Sequence, residues 1–208
     1  MKNRFLYLLS VLLITCHFSS AKGLVQNSVE DTLKIKASFN EEDTEAHEYL
    51  KDRLKPIQTN FKRINSIKNW SAVKSKNIEG ESAEGGEARL YYQNKRLEKI
   101  IARHYGEMGQ LLVEYYLLNG KLSFVFEKEY KYNRPLFYDQ KAMKENNDTE
   151  AFDFKKSEIT ETRNYFEKGN LIHIVNSQDC GAPFSGDYVR EEEKRIIEDF
   201  KRLQTKIF

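Results

Sequence analysis

Leu111-Leu112-Val113-Glu114-Tyr115-Tyr116-Leu117-Leu118-Asn119-Gly120-Lys121-Leu122-Ser123-Phe124-Val125-Phe126 reads as two strand-like runs around one tight turn. Asn-Gly supplies the two positive φ angles of a type I′ turn, whose twist matches the strands it joins. Counting outward sets Leu118 against Lys121, Leu117 against Leu122, Tyr115 against Phe124 and Val113 against Phe126. One face then carries Val113, Tyr115, Leu117, Leu122, Phe124 and Phe126, and the other Glu114, Tyr116, Ser123, Val125 and Glu127. That alternation predicts a half-buried antiparallel sheet.

The unit recurs. Tyr91-Tyr92-Gln93-Asn94-Lys95-Arg96-Leu97 and Tyr165-Phe166-Glu167-Lys168-Gly169-Asn170-Leu171 align with Tyr116 to Leu122. Each reads as strand, turn and returning strand, so the hairpins succeed one another as a meander. Asn133-Arg134-Pro135 ends the long second strand, because proline cannot donate to a ladder. Residues 139–158 are rich in Asp, Glu, Lys and Asn and predict an inserted polar segment anchored by Phe152 and Phe154.

Helical periodicity flanks the meander. Leu50, Leu54, Ile57, Phe61 and Ile64 step by four and three, which puts them on one helix face. Pro56 inside the stripe predicts a kink or two abutting helices. Val189, Ile196, Phe200, Leu203 and Ile207 mark a final helix with Asp187 as its N-cap. The predicted fold is α+β: an antiparallel meander of about six to eight strands, an N-terminal helical segment and a C-terminal helix packed on one face.

The repeated hairpins resemble the Tyr-Tyr-x-x-Gly-Lys-Leu units of MORN-type and related antitoxin-like repeat proteins. The resemblance covers residues 88–126 and 163–175, and it implies a binding or scaffolding module without chemistry. In composition and style the chain is similar to exported proteins of Bacteroidota-like bacteria.

The start of the chain predicts export. Lys2 and Arg4 precede an apolar run from Phe5 to Ile14, and Ser19-Ser20-Ala21 presents small residues to a signal peptidase. Residues 1–21 are read as a signal peptide, 22–42 as an irregular arm and 43–208 as one domain. Leu13-Ile14-Thr15-Cys16 also resembles the lipobox of bacterial lipoproteins, which makes Cys16 a candidate lipidation site and a lipid anchor the alternative to cleavage after Ala21. The expected location is the periplasm or the medium, or the membrane surface if Cys16 is acylated. After Ile14 no apolar run approaches the roughly twenty residues of a spanning helix. Removing Lys2 and Arg4 from 34 basic residues leaves 32 against 32 acidic ones, a balance that argues against nucleic acid as a partner.

No motif in the sequence specifies chemistry. His47, His104 and His173 stand far apart, and with Cys180 they meet no local metal-ligand spacing, so neither metal nor cofactor is expected. Asp139, Asp148, Glu150 and Asp153 share the insertion without the central glycine of a calcium loop. Glu107 and Glu114 read as a solvated rim beside Gly106 and Gly109. Tyr91, Tyr116, Tyr130 and Tyr132 are the candidate binding residues, since aromatics on a rigid sheet suit recognition of protein, peptide or glycan. The reading favours a non-catalytic binding module of the cell envelope. A carboxylate-based hydrolase and a structural or assembly protein are the alternatives.

Overall fold

Three two-residue turns shape the molecule, and all three hold both residues at positive φ. Asn94 and Lys95 lie at 51° and 64°, Asn119 and Gly120 at 53° and 77°, Lys168 and Gly169 at 55° and 95°. The computed structural model describes residues 48–80, 82–178 and 184–205. The leader, the arm at 22–42, Cys16, His47, Cys180 and Ile207 lie outside the described residues.

The chain runs α1 (Glu48–Asn65), β1 (Ala72–Ile78), β2 (Gly86–Gln93), β3 (Arg96–Gly106), β4 (Gly109–Leu118), β5 (Lys121–Lys131), α2 (Gln140–Glu145), a 3-10 turn (Phe154–Lys156), β6 (Glu158–Glu167), β7 (Asn170–Asn176) and α3 (Gly186–Gln204). The seven strands form one sheet in chain order, every neighbour antiparallel. The predicted meander and its two flanking helices are therefore present. α1 continues through Pro56 as one element. α3 is capped by Ser185, whose side chain accepts from the Tyr188 N–H, and Asp187 instead sits in the first turn beside the positive end of the helix dipole.

The register departs from simple alternation at one recurring place. Leu118 faces Lys121 and Leu117 faces Leu122 as counted, but the next pair is Tyr116 with Phe124. Ser123 is an extra residue, a β-bulge. The same shift follows Tyr92–Leu97, where Tyr91 pairs with Lys99, and Phe166–Leu171, where Tyr165 pairs with His173. Beyond each bulge the side chains exchange faces. Phe124 and Phe126 thus share a face with Tyr116, not with Tyr115, and His173 opposes Tyr165, not Asn164.

The bulges align one cross-strand row over the whole sheet: Val73, Tyr91, Lys99, Tyr116, Phe124, Tyr165, His173. The Lys99 ammonium lies 4.6 Å from the Tyr116 ring centre, and Phe124 lies 5.8 Å from Tyr116 and 5.2 Å from Tyr165. α1 covers the middle of this row. Phe61 packs 4.9 Å from Tyr116 and edge-on to Phe124 at 5.5 Å, and Leu50, Leu54, Ile57 and Ile64 are buried with it.

α1 also fastens to each hairpin end in turn. Arg53 donates to Glu167 at 2.7 Å, Asn60 to the Leu117 carbonyl at 2.9 Å and to the bulge residue Ser123 at 3.1 Å, and Arg63 to the bulge residue Glu98 at 2.5 Å. Positions 53, 60 and 63 share a helix face, so one helix reaches all three.

α3 takes the opposite face rather than sharing one with α1. Tyr115, the neighbour of Tyr116, packs 5.8 Å from Phe200. Ile196, Phe200 and Leu203 bury themselves against Ile100, Val113, Leu117, Val125 and Phe166. With an apolar surface on both sides of the sheet, each face needs its own cover.

Lys95 occupies the left-handed position that glycine fills in the other two turns. A β-carbon there costs roughly 1 kcal/mol, partly offset by the entropy a glycine loses on folding. Lys95→Gly is therefore expected to stabilise the domain by about 0.5 kcal/mol in urea denaturation.

Candidate functional site

Of the four candidate tyrosines, three are inside. Tyr116 is 0% exposed: it keeps the face opposite Tyr115 that alternation gives it, but α1 covers that face, with Phe61 packed 4.9 Å from the ring, so the residue does not look outward. Tyr130 stacks on Phe154 at 5.3 Å, and Tyr132 meets Phe152 edge-on at 5.2 Å. The two phenylalanines of the insertion serve as the expected anchors and bury both rings in doing so.

Tyr91 differs. It stands at the end of the row that α1 leaves open, half-buried, with the Trp70 ring 5.3 Å away. Burial pushes the Tyr91 hydroxyl above its ordinary value, and the nearby Arg89 charge only partly offsets this. Val73, the last member of the row, is 49% exposed. Nearby, the Tyr105 hydroxyl donates to Glu87 at 3.2 Å. Trp70, Val73, Arg89 and Tyr91 together present an aromatic and cationic patch on paired strands. Trp70 and Arg89 escaped the sequence reading because the tryptophan precedes its strand and the arginine looks like ordinary surface charge. The signal available was that Trp70 is the sole tryptophan of the chain.

Beneath α1 the row contains a buried ionic group. Lys99 contacts Glu114 at 2.5 Å, with side chains 6% and 0% exposed, and donates to the Tyr116 hydroxyl at 2.9 Å. Tyr116 in turn donates to Glu114 and lies 3.3 Å from Asn65 of α1. Burial, reinforced by the adjacent carboxylate, holds the Tyr116 hydroxyl well above its usual value. Glu114 is thus no solvated rim, because β4 begins at Gly109 and alternation carries residue 114 under the helix.

A concavity of about 640 Å³ lies between α3 and the β3–β4 end of the other face. Leu111 and Val113 floor it, and His104, Glu191, Lys194 and Asp199 are among its walls. Of its acids, Asp199 is committed to packing. Asp199 accepts from Tyr115 and from Arg202, and burial with that carboxylate drives the Tyr115 hydroxyl well up. Farther along α3, Arg195 bridges Glu127 at 2.9 Å and Glu192 at 2.7 Å. Such contacts brace a helix against a sheet.

His104 belongs to this second face, whereas His173 lies on the first face four strands away, so the structure does not bring them together. No group of three metal-ligating side chains occurs among the described residues. The insertion's acids act locally. Asp139 caps α2, Asp153 caps the 3-10 turn, Asp148 accepts from Arg134 at 2.9 Å and Glu150 from Lys156 at 2.6 Å. Scans against family models, curated proteins and solved structures find no match to this chain.

Two outcomes are expected of the buried charges. Lys99→Met leaves Glu114 uncompensated and should cost about 3–5 kcal/mol, while Lys99→Met with Glu114→Leu recovers most of that loss in urea denaturation. Burial raises the Glu127 carboxyl above its ordinary value despite Arg195. The native state then holds this proton more tightly than the unfolded chain. Its contribution is complete below the ordinary carboxylate value and is lost as pH rises through the raised one. The stability of the wild type relative to Glu127→Gln should fall over that rise, and an unchanged difference contradicts the assignment.

Proposed function

We propose that this domain is a non-catalytic binding module, exported to the cell envelope, that recognises a protein or peptide with the open end of its aromatic row. The observation that carries the reading is the half-exposed Trp70–Tyr91 pair, set beside Arg89 and the exposed Val73 on strands that the ladder holds rigid. Ring surface that is ordered before binding loses little entropy on contact, and aromatic and arginine side chains dominate the energetics of recognition sites. In the concavity under α3, the engagement of Asp199 with Tyr115 and Arg202 favours a bracing role over proton transfer for that carboxylate. Export rests on the charged front, apolar run and small residues of positions 1–21. No helix among the described residues is long and apolar enough to cross a membrane.

A photo-crosslinking amino acid at position 91 tests this in the native envelope. The expected result is a discrete protein adduct that is absent when the same group replaces Phe137, which is 73% exposed and remote in sequence from the patch. Adducts at both positions alike, at neither, or only with glycan contradict the reading.

A further inference from the structure

We infer that β1 accepts an extended, acidic segment of a partner protein as an eighth strand. The inference rests on the binding reading above and supplies its partner chemistry.

The two sheet edges differ. At β7 the Leu171 N–H is already taken by the Glu193 carboxylate of α3, at 2.8 Å, and the strand is half-buried or buried from Leu171 to Asn176. At β1 no strand lies outside Ala72–Ile78 among the described residues, and five of its seven residues are exposed. A strand edge of this kind offers backbone donors and acceptors to an incoming chain.

The side chains specify the occupant. On the first face a strand added to β1 sets one residue beside Val73, extending the row of Tyr91, Lys99, Tyr116 and Phe124 by one member. An apolar side chain there covers surface that Val73 now exposes. On the second face its neighbours are Lys74 and Lys76, and β1 contains no acid. Lys74 lies 5.4 Å over the Tyr92 ring and has no carboxylate partner among the described residues. Lys76 donates to the Arg202 and Thr205 carbonyls at the end of α3, at 3.0 and 3.1 Å, so among the described residues its charge meets helix-end dipoles and no carboxylate. Carboxylates on the added strand pair with both lysines. A second copy of this chain, paired antiparallel about Ser75, sets Lys74 against Lys76 in both directions, a like-charge apposition that disfavours self-association. The partner segment is therefore acidic at alternate positions, with an apolar residue next in the opposite register.

The probe is acetyl-Thr-Glu-Thr-Glu-Val-Thr-amide, titrated into the full domain and followed by Trp70 fluorescence and by amide exchange of β1. Saturable quenching or enhancement is expected, with about tenfold slower exchange in β1. The same peptide with lysine for glutamate should bind at least about tenfold more weakly, and Lys74→Glu should reverse that preference. A peptide N-methylated at alternate amides should not bind. If it binds as well as the parent and β1 stays unprotected, strand addition fails while the aromatic patch stands. If β1 is protected but Trp70→Ala and Tyr91→Ala bind unchanged, the patch reading fails and strand addition stands. Concentration-dependent protection of β1 without peptide makes a second copy the occupant and overturns the inference. So does the absence of any response.

Discussion

One extra residue after each tight turn decides which side of the sheet the aromatic side chains occupy. Glu98, Ser123 and Ile172 have no opposite number across the ladder, and past each of them the chain has changed faces. A single such slip would be a local irregularity. Three at equivalent positions place Tyr91, Tyr116 and Tyr165 on the same face and line up a row that crosses every strand. The helix that covers this row binds the bulges themselves, through Arg63 to Glu98 and Asn60 to Ser123. Bulge, row and helix thus depend on one another, and an unbulged ladder would present α1 with the wrong side chains.

The ionic group beneath α1 makes that arrangement exacting. Desolvating a carboxylate or an ammonium costs several kcal/mol per ion, which is recovered only where the partner is in place. Glu114 and Lys99 sit diagonally across the β3–β4 ladder, so a shift of one residue between those strands would separate them and strand both charges. Apolar packing alone tolerates such errors better, since most residues on either face of these strands are hydrophobic. The buried pair penalises the wrong registers more than it stabilises the right one.

Much of this was legible in the residues. Asn119-Gly120 fixed the central turn, the spacing of Leu50 to Ile64 fixed α1, and Pro135 marked the end of β5, because each rests on a short-range rule of backbone geometry or periodicity. The bulges were not legible from one hairpin, since Leu122-Ser123-Phe124 continues an alternating pattern without a break. Their consequence was the misplacement of Phe124 and Phe126, which join Tyr116 and not Tyr115. The polar Ser123 amid apolar neighbours was a faint sign, and the equivalent Glu98 another. Burial of Tyr130 and Tyr132 depended on where the insertion folds back, a tertiary matter that composition does not carry. Trp70 became meaningful only when the ladder set Val73 opposite Tyr91.

The most direct test of this account is the set of ring-to-ring nuclear Overhauser effects of Phe124 in the isotope-labelled domain. The bulged register predicts contacts from Phe124 to Phe61, Tyr116 and Tyr165, and from Tyr115 to Phe200. Contacts from Phe124 to Phe200 or Leu203 would return the ladder to unbroken alternation and contradict it.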